Sequence, residues 1–117
     1  MSRIERINQA FKKEISNIIQ NELKDPRLGF ITVTKVEVGR DLHYAKVSYS
    51  VLGDKIQIQK AGKGLKSAAG FIRKLIAERI KMRYTPELSF KFDNSVEYSV
   101  RIFEQLERIK NESKNNH

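Results

Sequence analysis

The chain has no cysteine, two prolines and two histidines, and no apolar run approaching the roughly eighteen residues of a membrane span. Without cysteine there is no disulfide framework, no zinc–thiolate site and no thiol nucleophile, a composition that suits a reducing cytoplasm. His43 falls in a hairpin with no Ser, Asp or Glu fixed beside it by spacing, and His117 is the last residue. The fourteen acidic residues are scattered, with no pair at metal-ligand spacing. Gly62-Lys63-Gly64-Leu65-Lys66-Ser67 resembles the tail of a phosphate loop, but Gln57 stands where a Walker loop needs its first glycine, and no strand precedes it. The expectation is a non-enzymatic protein with no cofactor, no metal and no membrane partner. Met1 to Arg6 leads into an amphipathic helix instead of a signal-peptide core, so the chain reads as soluble and unprocessed.

What is present in excess is positive charge, and it is concentrated. Between Lys55 and Arg83 nine basic residues face one acid, Glu78, so this stretch carries +8 of the formal net charge of +9. A cationic helical surface of this kind receives a sugar-phosphate backbone, which makes nucleic acid the leading partner. At 117 residues the chain is one domain, able to bury a core without staples.

Ser2-x-x-Glu5 forms a capping box, and Ile4, Ile7, Phe11, Ile15, Ile18, Ile19 and Leu23 recur at helical spacing, predicting an amphipathic helix over about 3–23. Asp25-Pro26-Arg27-Leu28-Gly29 stops it. Ile31 to Val38 is β-branched, with a parity slip at Lys35-Val36 that predicts a bulge or a strong twist. Gly39-Arg40-Asp41 turns the chain into a second strand, where Ala45, Val47, Tyr49 and Val51 alternate with polar residues. Beyond Asp54, a candidate N-cap, two helical segments are predicted on either side of Gly70, with Gly62 and Gly64 weakening the first and Thr85-Pro86 ending the second. Leu88, Phe90 and Phe92 mark a third strand, Asn94-x-x-Glu97 opens a last helix through Ile109, and residues 111–117 read as a polar disordered tail. The expected architecture is α+β, ordered α-β-β-α-(kink)-α-β-α, with helices on one face of a three-stranded sheet.

The hinge Ala68-Ala69-Gly70 is the most specific candidate for chemistry. Small residues there permit close approach of a backbone, and a helix starting after Gly70 would offer free N–H groups to a phosphate. The candidate RNA-binding residues are Lys63, Lys66, Ala68, Gly70, Arg73, Lys74, Lys81 and Arg83. Arg79 is expected to pair with acids instead, and Tyr84 to stack on a base or sit at the core rim. Phe30, Phe71, Phe90, Phe92 and Phe103 fall on apolar parities and read as core, not as an exposed stacking surface.

An amphipathic helix ending in Asp25-Pro26-Arg27, a hairpin, Ala68-Ala69-Gly70-Phe71-Ile72-Arg73 and Thr85-Pro86-Glu87-Leu88-Ser89-Phe90-Lys91-Phe92-Asp93-Asn94-Ser95 together closely resemble bacterial ribosome-binding factor A. The resemblance spans about residues 2–110. It implies a type II KH-like RNA-binding domain over 1–110, with an Ala-x-Gly kink in place of the usual Gly-x-x-Gly loop and Ser67 where that loop has its first glycine. It also implies a cytoplasmic, monomeric, non-enzymatic maturation factor. Such a factor binds the free 30S ribosomal subunit and 16S rRNA, assists late rRNA folding and processing, supports growth in the cold, and is released with help from an assembly GTPase. Two alternatives stand beside it: a helix-turn-helix DNA-binding protein using residues 57–82, and a subunit whose basic helices meet an acidic protein.

Overall fold

The computed structural model describes residues 1–94 together with 107 and 108. The first helix, α1 (Arg3–Asn21), starts where Ser2 adopts an extended backbone and its Oγ accepts a hydrogen bond from the Glu5 N–H at 3.1 Å. That satisfies one of the donors every helix start leaves open. Phe11, Ile15, Ile18 and Ile19 form its buried stripe. After the helix, Asp25 accepts from the Arg27 N–H at 2.9 Å and clasps the Arg27 guanidinium, and Gly29, at φ +56°, supplies the left-handed step that leads into the sheet.

Strands β1 (Ile31–Val38) and β2 (Tyr44–Val51) pair antiparallel, and their register shifts between Val33 and Lys35. The extra residue, Thr34, lets Val33 and Val36 both face inward, so the slip expected at Lys35-Val36 is a bulge and lies just before that pair. In the connecting turn the left-handed residue is Leu42, at φ 63°, and not Gly39; the Leu42 N–H donates to the Gly39 carbonyl at 2.9 Å. Strand β3 (Glu87–Phe92) lies parallel to β2, placing Leu88, Phe90 and Phe92 beside Ala45, Val47 and Tyr49. The sheet order is β1-β2-β3. Tyr49 meets Phe90 and Phe92 edge-on, with centroids 6.5 and 5.9 Å apart. The inward residues of the strands and the apolar stripes of the helices form one core, so the architecture is α+β with the helices on one sheet face.

A parallel strand pair needs a long crossover, and α2 (Lys55–Arg79) provides it. Asp54 caps it reciprocally: its carboxylate accepts from the Gln57 N–H, and the Gln57 side chain accepts from the Asp54 N–H, both at 2.9 Å. The expected kink is corrected here, because α2 is a single helix through Ala68-Ala69-Gly70 and Gly70 has no left-handed φ. Alanine is the strongest helix former, and glycine permits a hinge without imposing one. The helix also ends at Arg79, well before Thr85-Pro86; Ile80 turns extended, and Ile80 and Met82 pack against the core. Gly62 and Gly64 are packing positions: a Cβ at Gly64 would lie 2.8 Å from Leu28 Cδ2, and one at Gly62 3.2 Å from the Tyr49 hydroxyl. At exposed Gly70 a Cβ would meet nothing within 4 Å. Gly70→Ala should therefore stabilise the fold by about 1 kcal/mol, read as a shift in denaturant midpoint.

Of the helix expected from Asn94 to Ile109 only Asn94, Glu107 and Arg108 are among the described residues, the last two as helix; Phe103 and the tail 111–117 lie outside them.

Candidate nucleic-acid interface

α2 is two-faced because its apolar residues recur at helical spacing while its lysines fall between them. Ala61, Gly64, Leu65, Ile72 and Ile76 are buried, and Ala68 packs half-buried on the same side. Lys63, Lys66, Gly70 and Lys74 lie on the opposite side and are exposed. Lys63 to Lys74 spans about 16 Å of helix, so the cations form a stripe rather than a point.

The candidates thus divide. Gly70, Arg73, Lys74 and Arg83 line one open concavity of about 440 Å³ with Tyr84 and Thr85. Lys63 and Lys66 extend the basic surface toward the helix start, and Lys81 is exposed just beyond its end. Ala68 is separated from them by the helix itself. Its substitution by leucine should overpack the core and cost about 1–3 kcal/mol in a thermal or denaturant melt, while the folded protein keeps its cationic face.

Arg73 has a second task. Its Nη2 donates to the Thr85 carbonyl at 2.7 Å and its Nε reaches the Thr85 and Pro86 carbonyls at 3.2 Å, tying the segment before β3 to α2. Arg83 lies 5.6 Å from the centroid of the Tyr84 ring, which is 65% exposed, so a cation and an accessible aromatic face are held side by side. Phe30 and Phe71 depart from the expected core: both are exposed. Phe90 and Phe92 do pack against it.

Arg79 pairs with acids, as expected from its sequence context. Its Nη1 donates to Glu22 Oε2 at 2.6 Å and to Glu14 Oε2 at 3.5 Å, and its Nη2 to Glu22 Oε1, which ties the C-terminal ends of the two helices together. The hydrogen bonds from Arg79 hold the Glu22 carboxyl below its ordinary range; desolvation opposes this, and the Arg79 charge adds to it. With the folded pKa below the unfolded one, the stabilisation is complete above the ordinary carboxylate range and is lost as pH falls through the lowered value. Arg79→Met should accordingly flatten the acid limb of a stability-against-pH curve.

The outer sheet face is mixed in charge, with Lys35, Lys46 and Lys91 among Glu37 and Glu87 and an ion pair between Lys35 and Glu37 at 3.6 Å. The strong positive field therefore belongs to α2 and the segment after it. Residues 57–82 contain no helix-turn-helix, since α2 has no turn. Among the described residues no cluster of three His, Asp or Glu could hold a metal ion.

A family model described as ribosome-binding factor A matches residues 3–106. The ribosome-binding factor A of Halothermothrix orenii is 52% identical over 110 residues, covering 94% of this chain and 90% of that protein. That of Acetivibrio thermocellus is 57% identical over 98 residues, covering 83% and 80%. Among solved structures, the crystal structure of ribosome-binding factor A from Thermus thermophilus superposes with a TM-score of 0.69 at 26% identity, covering 77% of this chain and 96% of that one. A homology model of the Thermus thermophilus protein, fitted into a cryo-EM map of its complex with 30S, gives a TM-score of 0.63 at 26% identity, covering 74% and 91%.

Proposed function

The chain belongs to the ribosome-binding factor A family, and from that premise we propose that it is a non-enzymatic assembly factor which binds the free 30S subunit by laying α2 against 16S rRNA. The observation that carries this is the stripe of Lys63, Lys66 and Lys74: exposed, on one helix face, and without ion-pair partners among the described residues. Phosphate contacts of this kind supply affinity without sequence choice, and binding by them weakens steeply with salt. The complex of the Thermus thermophilus relative with 30S supports the choice of partner.

The contact set is Lys63, Lys66, Lys74, Lys81 and Arg83, with Arg73 at its edge and Gly70 leaving the stripe low enough for a backbone to approach. Ala68 contributes by seating α2 on the sheet. Late rRNA folding and processing, support of growth in the cold, release by an assembly GTPase, a cytoplasmic location, a monomeric state and a type II KH-like classification complete the proposal. Sedimentation of cell lysate on a sucrose gradient tests it. The protein should travel with free small subunits at low salt and leave them at high salt; migration with large subunits or with neither would overturn the reading.

A further inference from the structure

Phe30 is 77% exposed, and so is Leu52, whose N–H donates to the Phe30 carbonyl at 3.1 Å just beyond the β1–β2 ladder. Concavities open on both sides of Phe30. One of about 440 Å³ lies against Ile19 of α1 and Leu23 just beyond its end, and one of about 230 Å³ lies toward Leu52, Gln57 and Lys60. Ile56, 62% exposed, begins α2 and shares a helix face with Lys60 and Lys63, one and two turns on. Grouped exposed apolar side chains mark a surface that something covers.

The charges around the patch indicate what covers it. Arg27 is engaged with Asp25, whereas Lys60 and Lys63 have no ion-pair partner among the described residues. From Lys60 the cations continue through Lys63 and Lys66 toward Lys74. The occupant therefore places a flat apolar group on Phe30 and Leu52 and a train of negative charge along α2, the combination found in a single strand of nucleic acid. We propose that Phe30 and Leu52 form a platform for an unpaired RNA base whose flanking phosphates run onto Lys60 and Lys63. The platform rests on the reading of α2 as the RNA face.

Fluorescence anisotropy of the full chain with a short single-stranded RNA, and with the blunt duplex of the same sequence, tests this. Phe30→Ala should weaken single-strand binding about tenfold, within a range of about 5- to 150-fold for one stacked base, while leaving duplex binding and the slope against salt unchanged. Phe30→Tyr should keep the parent affinity, and Phe30→Leu, apolar but without a ring, should fall with the alanine variant. Equal single-strand affinity for Phe30→Ala and the parent would overturn the platform. So would an effect on 30S binding with none on RNA, the mark of a protein partner. The Lys63, Lys66 and Lys74 reversal, run beside these variants, separates the two claims: if it weakens RNA binding and Phe30→Ala does not, only the platform falls; if neither does, the α2 reading falls too.

Discussion

Replacing Lys63, Lys66 and Lys74 together by glutamate is expected to weaken RNA binding about 50-fold or more at 0.15 M salt, because each lost single-strand phosphate contact is worth about a factor of four there and three act together. The slope of log K against log salt should flatten by about 2 in the same variant, at about 0.7 per contact. All three side chains are exposed and unpaired among the described residues, so stability should change by no more than about 0.5 kcal/mol per site. Arg73 is left out of the variant on purpose. Its bonds to the Thr85 and Pro86 carbonyls hold the segment before β3, so reversing it would mix a loss of contact with a loss of structure. A triple variant with parent affinity and an unchanged slope would show that RNA does not bind through this stripe.

The opposite face of the same helix should behave in the opposite way. Ile72 is fully buried beside exposed Arg73, and Ile72→Ala removes core contacts at the seam where α2 covers the sheet. The expected cost is about 2–5 kcal/mol, lost hydrophobic transfer plus the cavity left behind, seen as a lower denaturant midpoint with an unchanged m-value. At a temperature where the variant is still folded, its RNA affinity should match that of the parent. A loss of affinity in fully folded protein would mean that the two faces are coupled and that α2 shifts on binding.

Much of this helix is legible in the sequence, because periodicity alone separates Ala61, Leu65, Ile72 and Ile76 from the lysines between them. The bulge is legible for a similar reason: a strand that must bury both Val33 and Val36 has to absorb one residue. The acidic partners of Arg79 are less so, since Glu14 and Glu22 belong to a helix far away in sequence and only the packing of α1 against α2 identifies them. The kink is a different kind of failure. Glycine lowers the barrier to a hinge without favouring one, and whether the chain bends at Gly70 depends on the packing of Leu65 and Ile72 on either side. Gly62 and Gly64 look like weaknesses in a helix until the sheet and the Leu28 turn are seen against them. Phe30 and Phe71 have the hydrophobicity of core residues, and apolar parity cannot tell a side chain that faces the core from one on the rim. That β3 runs parallel to β2 follows from the path of the crossover, which no local pattern encodes.

The most direct measurement is site-specific photo-crosslinking in a complex with the small subunit. A photoreactive side chain is placed in turn at Lys66, on the exposed face of α2, and at Lys46, on the outer face of the sheet. Crosslinks from position 66 to 16S rRNA, with none from position 46, are the expected result. Crosslinks to rRNA from position 46 alone, or to ribosomal proteins alone from position 66, would contradict it.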